Sequence, residues 1–322
     1  MSSGTKGLAA HSPGGGGVLD QSSFIDAQSL MAIKNLELRA RLVVEGFWHG
    51  LHRSPFHGFS VEFSEYRQYT PGDDPRYLDW RLYARSDRYY VKKFEDETNL
   101  RCHLLVDQSR SMAYGSIAHT KAAYASTLAA TLAYFLNLQG DAIGLLTFDE
   151  TLRAYLPARH RPGHLRHLML KLEQSAAGSL TNLAEPLQRI AQTVKRRALL
   201  VLISDLLSPI ENWQKHLTAL TACGHEVLLF HILDPAELNF AFDRAVMFHD
   251  VESGKRLFVD PVVARKDYLR KMEAHNDSVQ SLCQGLGIGY SRFATDRPLE
   301  LALFDFLRAR MRRGKLVKRR LS

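Results

Sequence analysis

From residue 101 onward, short apolar runs alternate with stretches whose apolar residues recur at helical spacing. The run Leu104-Leu105-Val106 stops at Asp107, and the runs 142–148, 198–204 and 227–233 are nearly continuous in apolar residues. Such runs suit strands covered on both faces, while 152–156 reads as an edge strand. Helices are expected over 121–138, 165–173, 183–195, 263–284 and 299–311, with a last strand near 289–294. This alternation predicts an α/β fold: a mostly parallel sheet with right-handed crossovers and helices on both faces. A hairpin insertion is expected at about 246–260, with strands 246–251 and 256–259 around Ser253-Gly254.

Upstream the pattern differs. Residues 1–23 are dominated by small and polar residues, include the glycine run Gly14–Gly17, and read as a disordered leader. A helix is expected over 26–45, with Leu30, Ile33, Leu36, Leu38 and Leu42 among its apolar positions and Asp26 near its start. Residues 46–98 are dense in aromatics, arginine and turn signals such as Pro71-Gly72 and Asp74-Pro75, which fits a β-rich layer of short strands. The expected organisation is therefore the leader, an N-terminal helix and β-rich segment over 24–98, the α/β domain over 99–311, and a basic tail over 312–322.

Composition narrows the class. The 322 residues are 45% hydrophobic and 24% charged, close to the soluble globular average. Cys102, Cys223 and Cys283 form no C-x-x-C pair, so free thiols are expected rather than a zinc ribbon or redox pair. The stretch 122–140 lacks charge, but Ser126, Thr127, Thr131, Asn137 and Gln139 argue for a buried helix rather than a membrane span. No export signal is expected, and a cytoplasmic location fits. The formal charge is +8. Arg308, Arg310, Arg312, Arg313, Lys315, Lys318, Arg319 and Arg320 account for all of it, so any polyanion or nucleic-acid contact is expected to be weak, nonspecific and confined to the tail.

The chemistry concentrates at the end of the first central strand, in Asp107-Gln108-Ser109-Arg110-Ser111. Asp107, Ser109 and Ser111 alternate, so a strand-to-helix loop can turn one carboxylate and two hydroxyls toward one point, outside the carboxyl end of the sheet where α/β folds place ligands. Thr181 and Asp205 fall in loops expected at the same edge. The resulting all-oxygen set suits a hard divalent cation, Mg²⁺ or Mn²⁺. Its hydroxyl donors would leave the ion positive enough to accept an acidic side chain from another protein. The same Asp-x-Ser-x-Ser spacing also fits a helix cap, with Asp107 or Ser109 accepting from backbone N–H groups.

These residues resemble the metal-ion-dependent adhesion site of von Willebrand factor A-like domains, with Asp107, Ser109, Ser111, Thr181 and Asp205 at the motif positions. The wider sequence resembles the bacterial domain of unknown function 58 family over about residues 24–311. The resemblance rests on Gly50-Leu51-His52-Arg53-Ser54, Glu62-Phe63, Arg67-x-Tyr69-x-Pro71-Gly72-Asp73-Asp74-x-Arg76-x-x-Asp79-Trp80, Ala84-Arg85 and Val91-Lys92-x-Phe94. It implies a von Willebrand A-like (Rossmann-like) fold and a partnership with a MoxR-type AAA+ ATPase in chaperone-like maturation or assembly of a client complex. One departure is Asn182, where the family pattern carries Asp; its loss would weaken the ion or alter the groups around it. The chain has no G-x-x-x-x-G-K-[ST] phosphate loop, so energy would come from the partner.

Two other classes stay open. A metal-dependent hydrolase could use the same ion, and Asp73, Asp74 and Asp79 could act as paired carboxylates, although Arg67, Arg76, Arg81 and Arg85 suit them better as ion-pair partners. The histidines form no H-E-x-x-H. His160, His164 and His167 read as surface residues, and His52, His57 and His103 as structural ones. Asp141 and Asp149 read as turn residues, and Trp80 as core.

Overall fold

The computed structural model describes residues 25–53, 65–68, 90–93, 100–174, 182–240, 242, 246–249 and 256–307. In chain order the elements begin with α1 (Ala27–Met31), α2 (Leu36–Arg53), β1 (Glu65–Gln68), β2 (Tyr90–Lys93) and β3 (Arg101–Asp107). A short 3-10 turn (Arg110–Ala113) leads to α3 (Lys121–Leu138), β4 (Ala142–Phe148), β5 (Leu152–Arg159), α4 (His164–Leu172) and α5 (Ala184–Thr193). Then come β6 (Leu199–Ser204), α6 (Ile210–Ala222), β7 (Glu226–Leu233), α7 (Pro235–Asn239), β8 (Val246–His249) and β9 (Arg256–Val259). The chain continues through α8 (Pro261–Leu286) and β10 (Gly289–Ala294) to α9 (300–307).

Six strands form one sheet in the order β10-β7-β6-β3-β4-β5. Every neighbouring pair is parallel except β4 with β5. This is the mostly parallel α/β arrangement that the alternating pattern predicts, and it accords with the von Willebrand A-like fold that the resemblance implies. Successive side chains of a strand point to opposite faces, so β3 feeds two cores. Leu104 and Val106 join Ile143, Leu145 and Val201 under α2, α3, α4 and α9. Leu105 joins Leu146, Leu200 and Leu202 under α5, α6 and α8, where Trp213, Leu217, Val279 and Cys283 close the layer. Each fully buried large aliphatic side chain contributes about 1.5–3 kcal/mol.

The uncharged stretch 122–140 lies mostly in α3, which is buried on nearly all sides between the sheet and α2. Thr127 and Thr131 donate to the carbonyls of Ala123 and Thr127, each at 2.8 Å, so burial leaves neither hydroxyl unpaired. Among the described residues no helix is long and apolar enough to cross a membrane.

Several expectations need correction. The helix expected over 26–45 is two helices. Asp26 caps the first by accepting from Ser29 N at 3.0 Å, and Asn35 caps the second by accepting from Leu38 N at 2.8 Å. The second also runs on to Arg53, into the stretch expected to be β-rich. Leu36, Ala40, Val43, Val44 and Phe47 continue one buried stripe, and Phe47 meets Phe135 and Phe304 at ring separations of 6.1 and 4.6 Å. The rest of that stretch is described only at the antiparallel pair β1–β2, which includes Arg67; Asp73, Asp74, Asp79, Trp80, Arg76, Arg81 and Arg85 lie outside the described residues.

The edge strand is longer than 152–156. Leu156 pairs with Leu145 and Arg159 with Ile143, so Pro157 and Ala158 lie opposite Gly144 in an irregular register. Gly144 has no room for a side chain there: a Cβ would fall 2.6 Å from His103 Nδ1 and 2.9 Å from both Ala158 N and Leu156 O. His164 is a buried residue, not a surface one, because its Nε2 meets the Ile143 carbonyl at 2.7 Å. His160 and His167 are exposed. The hairpin insertion is present as β8 paired with β9, Val246 opposite Val259 and His249 opposite Arg256; residues 250–255 lie outside the described residues. The leader and the basic tail lie outside the described residues.

Candidate functional site

Asp107 is the last residue of β3 and Asp205 directly follows β6, its parallel neighbour, so the topology brings both carboxylates to one sheet edge. Both are fully buried. Backbone geometry after β3 then follows from Asp107 itself. Its Oδ1 accepts from Ser109 N at 2.9 Å, and the Ser109 carbonyl accepts from Met112 N at 3.1 Å, opening the 3-10 turn. That turn sets Ser109 Oγ and Ser111 Oγ 3.1 Å apart. Part of the capping expectation is thus met by the same carboxylate that reaches into the site.

A third tie crosses between strands. Ser204 Oγ donates to Asp107 Oδ2 at 2.5 Å and accepts from Leu206 N at 3.1 Å. Leu206 is a buried residue with positive φ (52°), a costly conformation for a branched side chain. Two histidines hold the backbone on either side of its peptide link: His231 Nε2 meets the Asp205 carbonyl at 2.8 Å, and His275 Nε2 meets the Leu206 carbonyl at 2.9 Å. Burial pushes His231 down to about 4, so the ring is neutral near pH 7. A neutral ring that donates through Nε2 must accept at Nδ1, and Tyr290 Oη lies 2.9 Å away to donate.

Nothing in the pattern of residues around position 121 marks Lys121 as part of the site. The first residue of α3, it is completely buried with its Nζ 2.8 Å from Asp205 Oδ2 and 2.6 Å from Glu237 Oε1 in α7. Burial opposes its charge, but Asp205 and Glu237 outweigh burial and raise its pKa. Burial likewise opposes the Asp205 charge, and the Lys121 ammonium overrides it, holding that carboxyl below the ordinary range. Asp107 lacks such a partner. Burial first, and then the neighbouring Asp205 charge, lift it to about 7.

Of the five predicted ligands, the structure brings together Asp107, Ser109, Ser111 and Asp205; Ser111 also hydrogen-bonds Asp205. Thr181 lies outside the described residues. Asn182 Oδ1 accepts from Ala184 N at 3.0 Å at the start of α5, and its own N–H donates to the Asp149 carbonyl at 3.3 Å. Asp149 serves a backbone turn, accepting from Thr151 N, whereas Asp141 accepts from Leu100 N and so ties the start of β4 to the residue before β3.

The donor set fits a hard divalent cation on two observations. Asp205 and Glu237 share the Lys121 ammonium, and Asp107 is linked to them through serine hydroxyls, so the connected cluster carries a formal surplus of two negative charges when all three carboxyls are ionised. Octahedral ligands at about 2.0–2.1 Å sit about 3 Å apart, close to the Ser109–Ser111 hydroxyl separation. Among the described residues no three His, Cys, Asp or Glu side chains assemble as a metal cage. The donors gathered at the sheet edge are the carboxylates of Asp107 and Asp205 and the hydroxyls of Ser109 and Ser111.

At the opposite edge of the sheet two adjoining clefts of about 450 and 240 Å³ share Arg101 and Ala158. Arg101, Arg159, Arg161, Lys195 and Arg196 line them, with no acidic residue in either lining.

A mostly parallel α/β sheet of this order, with paired carboxylates and serines at the carboxyl edge of its central strands, matches what the resemblance to von Willebrand A-like domains implies. The chain belongs to the family described as "Protein of unknown function DUF58", whose model matches residues 65–278. The uncharacterized protein Rv1480 of Mycobacterium tuberculosis is 32% identical over 298 residues, 91% of this chain and 92% of that one. Among solved structures, the conserved hypothetical protein BatB from Bacteroides thetaiotaomicron is similar at 14% identity and a TM-score of 0.45, over 66% of this chain and 99% of that one. The SpRpn10 VWA domain is similar at 12% identity and a TM-score of 0.37, over 64% and 93%.

Proposed function

We propose that the protein is a non-enzymatic interaction module whose sheet edge holds Mg²⁺ or Mn²⁺ and through it an acidic side chain of another protein. Asp107, Ser109 and Ser111 would hold the ion directly, with Thr181 and Asp205 completing the protein's share. The carrying observation is the meeting of Asp107, Ser109, Ser111 and Asp205 in one buried cluster whose negative charge exceeds what Lys121 neutralises. When bound, the ion supplies a positive centre with a place for an outside carboxylate. The protein's own groups do the positioning: Ser204 fixes the Asp107 carboxylate, and His231 and His275 fix the backbone after Asp205.

The family resemblance extends this reading to a role beside a MoxR-type AAA+ ATPase in maturing or assembling a client complex. The module lacks a phosphate loop of its own, so a partner with an engine is consistent with the sequence. Purified wild-type protein and Asp107→Ala, both with native circular dichroism, would be titrated with the ATPase in Mg²⁺ and in chelator. Binding that needs both Mg²⁺ and Asp107 supports the proposal. Equal binding in all four conditions removes the metal from the partnership, and no binding in any removes the ATPase.

A further inference from the structure

Lys121 is a fully buried ammonium at the edge of a candidate cation site, and its two carboxylate partners stand on different elements. Asp205 follows β6 and belongs to the site, whereas Glu237 lies in the first turn of α7. Taking an ammonium out of water is costly unless it is paired, so this placement needs both partners. Its position is fixed from behind as well, since Lys121 N donates to the Tyr114 carbonyl at 2.9 Å just after the turn that carries Ser109 and Ser111.

Asp205 Oδ2 accepts the ammonium at 2.8 Å. An ion drawing on that carboxylate meets the lysine's positive charge at close range and must share or displace it. Glu237 offers the lysine an alternative. Its Oε1 already accepts from Nζ at 2.6 Å, while Oε2 is fixed by Asp234 N at 2.9 Å. Asp234 in turn accepts from Ser116 N at 2.8 Å and from Ala236 N at 2.8 Å. The carboxylate that can keep the lysine is therefore anchored to α7 and to the loop that leads back from the site.

We propose that Lys121 is an internal counterion that competes with the divalent cation for Asp205, and that Glu237 is the carboxylate on which it remains when the cation binds. The inference rests on the metal-binding reading above and adds what sets the affinity. Removing the lysine strengthens cation binding, and removing Glu237 weakens it, because the lysine then has only Asp205. Net charge alone predicts the same two signs, so the readings part only in the variant that removes both groups.

The test is Mn²⁺ titration by calorimetry on wild type, Lys121→Met, Glu237→Gln, the double variant and Asp107→Asn, each checked for fold by circular dichroism. Lys121→Met should bind at least about tenfold tighter than wild type and Glu237→Gln at least about tenfold weaker, as expected for a unit charge a few ångströms from a divalent ion. Lys121→Met leaves two carboxylates buried together and can fail to fold, so the double variant decides. It keeps the formal charge of the cluster. Tighter binding than wild type therefore reports a freed Asp205, and wild-type affinity reports net charge alone and overturns the inference. Saturable binding by wild type that Asp107→Asn abolishes keeps the metal reading whichever way the double variant falls. Absence of binding in every variant, the double included, overturns the metal reading and the inference with it.

Discussion

Ser204 Oγ lies 2.5 Å from Asp107 Oδ2 and ties the carboxyl ends of two parallel strands through one hydrogen bond. The contact takes the place of water at a carboxylate that has none of its surface exposed.

Replacing that serine by alanine leaves the buried Asp107 oxygen without its donor and Leu206 N without its acceptor. Hydrogen bonds to charged groups are worth about 1.5–3 kcal/mol, and a loss in that range is expected for Ser204→Ala in urea unfolding at pH 8 with chelator present. Ser204→Cys, which keeps a weak donor, should lose less. A loss below about 0.5 kcal/mol would mean that the hydroxyl does not support the carboxylate.

A pH effect should arise far from the candidate site, at His103. Burial first, then the neighbouring His225 and the Arg101 charge, push this imidazole down to about 4, and Tyr155 stacks beside it at 6.4 Å. The unfolded chain takes up the proton near 6.5, whereas the folded protein refuses it until about 4. Stability contributed by the neutral ring is therefore complete above pH 6.5 and is lost progressively as pH falls toward 4, by about 3 kcal/mol in all. Unfolding midpoints from pH 8 to 4 should show this decline, and His103→Phe should flatten it. An unchanged slope in that variant would assign the acid sensitivity to other groups.

Phe47 makes α2 part of the core rather than an attachment to it. The side chain is fully buried and packs edge-on against Phe304 and Phe135. Phe47→Ala is expected to cost about 3–5 kcal/mol in a single cooperative unfolding transition. Two separated transitions, with only the first shifted, would show that α2 unfolds independently of the sheet.

The central sheet was legible because its strands are buried on both faces and declare themselves as continuous apolar runs. The site was partly legible for a related reason: Asp107, Ser109 and Ser111 are adjacent in sequence, and Asp205 follows an unmistakable strand. Lys121 escaped notice because a lysine at the start of a helix ordinarily lies in water, and Glu237, 116 residues later, gives no sequence sign of proximity. Ser204 was hidden inside an apolar run, read as the strand's last residue rather than as a donor. Asn35 carried a usable signal, an N-cap residue before a helical stripe, which the apolar spacing of Leu30, Ile33 and Leu36 overrode. His164 could not be placed without knowing that the start of α4 lies over β4.

The cationic clefts and the carboxylate cluster lie at opposite ends of the same strands. β3 spans seven residues, about 20 Å at 3.3 Å per residue, with Arg101 at one end and Asp107 at the other. Among the described residues this gives the domain a polarity along its strands. A diffusing acidic surface is turned by long-range attraction to meet the arginine-lined edge first. Under the proposed metal binding, a divalent cation would offset the two surplus negative charges at the far edge, so loading the ion would lift the repulsion that confines a negatively charged visitor to the arginine-lined end.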